Sequence, residues 1–258
     1  MIIDSSCDNH VHTSFCHHAT GRMEEYVLSA ISKGLQRVCF LEHMEEGIQA
    51  NRITWLTETD FDHYFLEGNR LKSKYSEIIE IGLGVEVGFN PFHETELLNR
   101  LSRRKWDRIG ISCHFHYDQD LKEHLNLVSR RDNNVLQLSL EEANEIVRAY
   151  FKNLARAVEV IPGSMVCHMD AALRFHPRRE EIRLPWDLID ILLHNIKQQK
   201  MAVEINTSGI AMRNQIFPCQ QIIAKLVDKK IPLVAGSDAH RPEDVGYAFS
   251  ELEDLINQ

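Results

Sequence analysis

The strongest constraint on how this chain can fold is the alternation, from end to end, of short apolar runs with longer amphipathic ones. Strand-like runs fall at 6–13, 37–42, 79–89, 108–114, 165–169, 202–207 and 231–237, as in "RVCFLE" and "IEIGLGVEVGF". Helix-like stretches fall at 22–33, 61–75, 94–103, 139–160, 186–199, 219–229 and 243–256. Ser139-Leu140-Glu141-Glu142 is a capping-box pattern, and Gly34 stands where the first helix should stop. A strand followed by a helix seven times over predicts a parallel sheet, either closed into a barrel like a shortened (β/α)8 fold or open and doubly wound. A chain of 258 residues, 43% of them hydrophobic, is long enough for one large α/β domain. It has no fixed-period repeat, low-complexity tract or linker, so a single domain over 1–258 is expected. The polar, irregular stretch 118–134 reads as the longest loop, or a lid.

Metal-ligand residues fall at one end of this pattern. His10 and His12 end the first predicted strand, His43 follows the second, Glu86 lies in the third, His114 and His168 close the fourth and fifth, and Asp238 and His240 follow the seventh. In parallel β/α folds, the carboxyl edge of the strands is where active sites are built. One histidine ending a strand is more often a satisfied structural residue than a ligand, but chance is a poor account of the set. Residues two apart on an extended chain point to the same face, so His10 and His12 can share an ion. Asp238 and His240 repeat that spacing. Glu86 sits among apolar neighbours in "GVEVGF", where a carboxylate needs a partner and a cation is one.

Imidazole and carboxylate donors without thiolate suit zinc, iron or manganese rather than a structural zinc finger. About nine such donors exceed the ~4 protein ligands of one ion, which implies two or three divalent ions. By strand alternation, Cys113 and Cys167 precede His114 and His168 and should face the other way, as small core residues beneath the helices.

The opening "DNHVHTSFCHH" holds four of the fourteen histidines, yet it is interrupted, unlike an expression tag. The net charge of -9 argues against a nucleic-acid or anionic-membrane footprint. No run approaches the ~18 apolar residues of a membrane span, and Met1-Ile2-Ile3-Asp4 lacks the basic start of an export signal, so a cytoplasmic location is expected. Six cysteines without a C-x-x-C pair read as reduced thiols.

In order and spacing, "DNHVHTSFCHH", "LEHME", "GVEVGF", "ISCHF", "VCHMDA", "EINTSG" and "IPLVAGSDAHRPEDVGYAF" resemble the polymerase and histidinol phosphatase (PHP) superfamily over nearly the whole chain. Within it, the chain is similar to the PHP-type histidinol-phosphatases of histidine biosynthesis. The resemblance implies a distorted (β/α)7 TIM-like barrel and a trinuclear site with His10, His12, His18, His43, Glu86, His114, His168, Asp238 and His240 as ligands. The family spacing of eight residues from the first opening histidine selects His18 and leaves His17 a neighbour. It also implies a division: His10, His12, Glu86 and Asp238 on one ion; Glu86, His114 and His168 on a second; His18, His43 and His240 on a third.

The reaction expected is hydrolysis of a phosphate monoester, with histidinol phosphate the foremost substrate, by water activated on the ions. Glu86 bridges two of them, and Asp238 or His240 passes a proton to the leaving oxygen. Arg174 and Arg213 are candidates for the phosphate. Glu204, Asn206 and Ser208 are candidates for the amino group or imidazole. "HFHYDQDLKEHLNLVSRRDNN" departs from the family pattern with a second H-x-H, His114 and His116, and with His124. His116 is read either as a substrate contact or as a surface histidine. Competing readings are a PHP phosphoesterase acting on another small ester or a nucleotide, and a metal-binding accessory domain of the kind attached to DNA polymerases. An amidohydrolase barrel also begins with H-x-H but needs eight strands and usually a lysine or glutamate from the fourth.

Overall fold

The structure is a computed structural model that describes residues 3–129 and 133–256. Its strands are β1 (Cys7–Val11), β2 (Arg37–Glu45), β3 (Glu80–Gly88), β4 (Ile109–Ser112), β5 (Phe115–Asp118), β6 (Glu123–Asn126), β7 (Met165–Val166), β8 (Ala202–Asn206) and β9 (Leu233–Gly236). Seven of them form one parallel sheet in the order β1-β2-β3-β4-β7-β8-β9. The sheet rolls up until its two edges meet. Past the end of β9, Ala239 pairs with Val11 in parallel, His12 N donates to Ala239 O at 2.9 Å, and Asp238 N donates to His10 O at 2.8 Å. The buried Asp8 carboxylate adds a clasp, accepting from Ser237 Oγ at 2.5 Å and Gly246 N at 2.8 Å. Of the two sheets left open by sequence, this is the closed barrel.

The helices α1 (Met23–Ser32), α2 (Glu58–Lys74), α3 (Glu94–Leu101), α4 (Leu140–Val160), α5 (Trp186–Gln198), α6 (Ser208–Arg213), α7 (Gln220–Asp228) and α8 (Leu252–Ile256) alternate with the barrel strands. Helix α4 buries Ala143, Ile146, Val147, Tyr150, Phe151, Leu154 and Val158, the three-and-four spacing of one apolar stripe. Its capping box forms: Glu142 Oε2 accepts from Ser139 N at 2.8 Å, and Ser139 Oγ accepts from Glu142 N at 3.3 Å. Gly34 ends α1 at a φ of +73°, a left-handed conformation that costs glycine nothing.

Three local expectations are corrected. The stretch read as a loop from 118 begins inside a hairpin, with Phe115 opposite Asn126 and Asp118 opposite Glu123; residues 130–132 of that stretch lie outside the described residues. The helix expected from 243 begins only at Leu252. Cys167 faces into the barrel with Cys39, Leu41 and Met165 rather than under the helices. Strand β7 ends at Val166 and His168 takes a φ of +24°, so the alternation used to place Cys167 breaks there. Cys113 does join the outer core. Among the described residues, no helix is long and apolar enough to cross a membrane.

Candidate metal centre

Strands β1, β2, β3 and β4 and the turns after β7 and β9 deliver their polar residues to one spot at the carboxyl mouth of the barrel, with Glu86 at its middle. Glu86 is fully buried and its two oxygens face different partners. Oε1 lies 3.0 Å from His114 Nε2 and 2.7 Å from His168 Nε2. Oε2 lies 2.9 Å from His43 Nδ1 and 3.5 Å from both His10 Nε2 and His12 Nε2. Asp238 Oδ1 completes that side, 3.4 Å from His12 Nε2 and 3.9 Å from His10 Nε2. Despite the short His43 approach, neither Glu86 Oε2 nor His43 Nδ1 makes a hydrogen bond. A buried carboxylate oxygen ringed by nitrogens and bonded to none calls for a cation between them.

The imidazole pairs make the same demand more sharply. His18 Nε2 and His240 Nε2 face each other at 2.8 Å. His18 Nδ1 donates to Cys16 O and His240 Nδ1 to Asp238 O, each at 2.9 Å. A carbonyl only accepts, so in the neutral rings both protons are on Nδ1 and both Nε2 atoms present lone pairs to each other. His10 Nε2 and His12 Nε2 also meet at 2.9 Å, where a proton on either ring bridges them until an ion takes its place. Opposed lone pairs repel, whereas a shared ion turns each into a ligand. Stacked and tilted ring pairs tie His18, His43 and His240 together, with ring centres 4.5–6.2 Å apart. The residues present therefore fit divalent ions.

The electrostatics agree. Burial works against the Glu86 carboxylate, yet His114, His10, His43 and His168 hold its pKa well below the usual range. Burial likewise opposes the Asp238 charge, and His12 and His10 overcome it. Burial and the crowding of His43 and His240 push His18 down to about 2, and the same causes push His12 well down, so both stay neutral and able to ligate. Burial also opposes protonation of His114, but Glu86 and Glu45 raise it to about 10. Strain accompanies this crowding: Asp238 and His168 both hold left-handed backbones, at φ of +52° and +24°.

All nine residues expected as ligands lie in this cluster. Above it opens a cavity of about 750 Å3 lined by His18, His43, Glu86, His114, His168, Asp238 and His240, and by Arg174, Ser208, Phe115, Phe175 and Tyr247. Arg174 Nε donates to Val128 O at 3.0 Å, leaving Nη1 4.0 Å from Asp238 Oδ2. Ser208 Oγ is 3.4 Å from the same oxygen. Glu204, Asn206 and Arg213 do not line the cavity. Glu204 is buried behind His10, Asn206 Nδ2 donates to Glu204 Oε2, and Arg213 Nη2 donates to His176 O. His17 lies to one side, 3.7 Å from Asp60 Oδ2. His116 is partly buried on the hairpin, and His124 accepts from Gln49 N at 3.2 Å. Sequence reasoning missed Glu45, which bonds His114 Nδ1 at 2.7 Å. Its signal was present: two residues past His43 on β2, it faces the same way. An open groove of about 800 Å3 at the opposite rim offers no rival site, because its Arg37 and Lys72 already pair with Glu80 and Asp107.

Residues 8–208 match the PHP domain family, and residues 225–258 match the PHP-associated family. The histidinol-phosphatase of Bacillus subtilis is 28% identical over 267 residues, covering 94% of this chain and 96% of that protein. A crystal structure from Listeria monocytogenes superposes with a TM-score of 0.82 at 24% identity, covering 95% of this chain and 98% of the other. The histidinol phosphate phosphatase of Lactococcus lactis, solved with zinc, L-histidinol and phosphate, superposes with a TM-score of 0.77 at 21% identity, covering 97% and 92%.

Proposed function

The chain belongs to the PHP domain family, and from that membership we propose that it is a histidinol-phosphatase, hydrolysing histidinol phosphate to histidinol and phosphate. The observation that carries the reading is the nine-residue cluster around Glu86, open to a cavity that also holds an arginine with Nη1 4.0 Å from Asp238. The name of the Bacillus subtilis relative, aligned over nearly the full length of both chains, supports the substrate.

His10, His12, Glu86 and Asp238 would hold one ion, Glu86, His114 and His168 a second, and His18, His43 and His240 a third, with zinc, iron or manganese as candidates. Bound divalent ions supply Lewis acidity, lowering the pKa of water and neutralising phosphoryl charge. The chain does the rest. Arg174, steadied by its bond to Val128 O, offers its free nitrogens to the phosphate as a fork. Asp238 turns Oδ1 toward His12 and Oδ2 toward Ser208 and Arg174, so Oδ2, an ionised acceptor, is placed to orient a water that gives its proton to the leaving alkoxide. Phe115, Phe175 and Tyr247 line the cavity beyond, where the imidazole end of the substrate is received.

Phosphate release is measured over histidinol phosphate, sugar phosphates and nucleotides, with metal content determined on the same preparation. Preference for histidinol phosphate is expected. Preference for another ester keeps the chemistry and overturns the substrate, and a metal-replete protein inactive on all of them overturns the enzymatic reading.

A further inference from the structure

Two buried glutamates stand behind the metal-facing histidines, one on each side of Glu86, and neither touches the cavity. Glu45, at the end of β2, is 3% exposed, and Glu204, on β8, is 0% exposed. Each accepts from the rear nitrogen of a histidine whose front nitrogen faces the centre. His114 Nδ1 donates to Glu45 Oε1 at 2.7 Å, and His10 Nδ1 donates to Glu204 Oε1 at 2.8 Å. Glu204 Oε2 takes a further bond from His168 N at 2.7 Å, at the residue whose φ is +24°. One carboxylate thus fixes the ring of one ligand and the strained backbone of another.

The barrel reserves space for both. A Cβ on Gly88, at the end of β3, would lie 2.0 Å from Glu45 Oε1, and a Cβ on Gly236, at the end of β9, would lie 1.9 Å from Glu204 Oε1. Both are far inside contact distance, so each glutamate sits in a slot that only glycine leaves open. Carboxylates this deep, with no lysine or arginine among the described residues bonded to them, are costly to bury unless hydrogen bonds such as those from the two histidines offset the cost.

We propose that Glu45 and Glu204 are positioning residues for the metal centre, aiming His114 Nε2 and His10 Nε2 at the ions and raising the basicity of both rings. The inference rests on the metal assignment made above, and not on which ester is hydrolysed. Zinc affinity of metal-stripped protein, measured by competition with a chromogenic chelator, tests it alongside the melting temperature of the same metal-stripped samples. Glu45→Gln and Glu204→Gln should each weaken zinc binding about 10- to 100-fold while the metal-stripped protein still melts cooperatively. Gly88→Ala and Gly236→Ala keep the carboxylate but crowd its slot, and should weaken zinc in the same direction. If a glutamine variant does not fold, the alanine variant of its glycine decides for that side. Unchanged zinc affinity in the folded variants overturns the inference alone. A wild-type chain that takes up no zinc overturns the metal reading and the inference with it, and a zinc-bound wild type that spares histidinol phosphate overturns only the proposed substrate.

Discussion

Asp238 makes two kinds of contact that its neutral isostere would separate. Asparagine keeps the volume and one acceptor, but loses the charge set against His12 and one of the two oxygens that can orient a proton-giving water. Asp238→Asn should cut phosphate release on the order of 10²- to 10⁴-fold with the melting temperature of the metal-free protein little changed. An active, metal-replete variant would remove Asp238 from the mechanism. Arg174 acts on the substrate instead. Arg174→Ala removes a charged hydrogen-bonding fork of about 2 kcal/mol, which predicts a KM rise of roughly 30-fold in steady-state kinetics, larger than the change in kcat. The residue scale is also where the sequence misled. Glu204 looked like a substrate group because it shares a strand face with Asn206, and only its 2.8 Å contact with His10, distant in sequence, reveals what it meets.

Elements follow local rules closely enough for a capping argument to be quantitative. The box at the start of α4 is exposed and lines no part of the cavity, so Ser139→Ala should cost about 1 kcal/mol in urea unfolding and leave kcat alone. A loss of activity in proportion to stability would mean that α4 supports the site more directly than its contacts indicate. The hairpin of β5 and β6 was not legible because both strands are only four residues long and "EHLN" has a single apolar side chain, too little for "FHYD" to be read as half of a pair. The six-residue α6 was missed for a related reason: it is too short to establish a 3.6-residue period.

For the whole molecule, the centre joins the first strand to the last. His10, His12 and His18 come from one end of the chain and Asp238 and His240 from the other, so ions bound there tie together the strands that close the barrel. Chelation should abolish hydrolysis and lower the melting temperature, and added zinc should restore both; at a thousandfold excess over Kd, one site contributes about 4 kcal/mol. The pH dependence has a definite sign. Burial opposes protonation of His10 and His114, but Glu204 and Glu86 beside them raise both, His114 to about 10, so metal-free protein at neutral pH carries protons there that a metal must displace. Zinc should therefore bind more tightly as pH rises from 6 to 8, by about tenfold per pH unit for each proton released. Chelator competition at several pH values checks it, and a flat profile would show those rings already neutral.

The alternation of seven strands and helices, the edge on which the chemistry collects and eight of the nine residues that gather there were legible in the sequence, while the ninth, His18, was picked out by the spacing of the family the chain resembles. The eight follow from periodicity, and from the rule that residues two apart on a strand share a face. Tertiary structure alone decided that the sheet closes, that Cys167 turns inward where His168 breaks the alternation, and that Glu45 and Glu204 stand behind the histidines while Arg174 and Ser208 stand before them. The physical reason is the same in each case. Local sequence fixes which face of an element a side chain occupies, but what that face meets is set by packing against segments as far as 238 residues away.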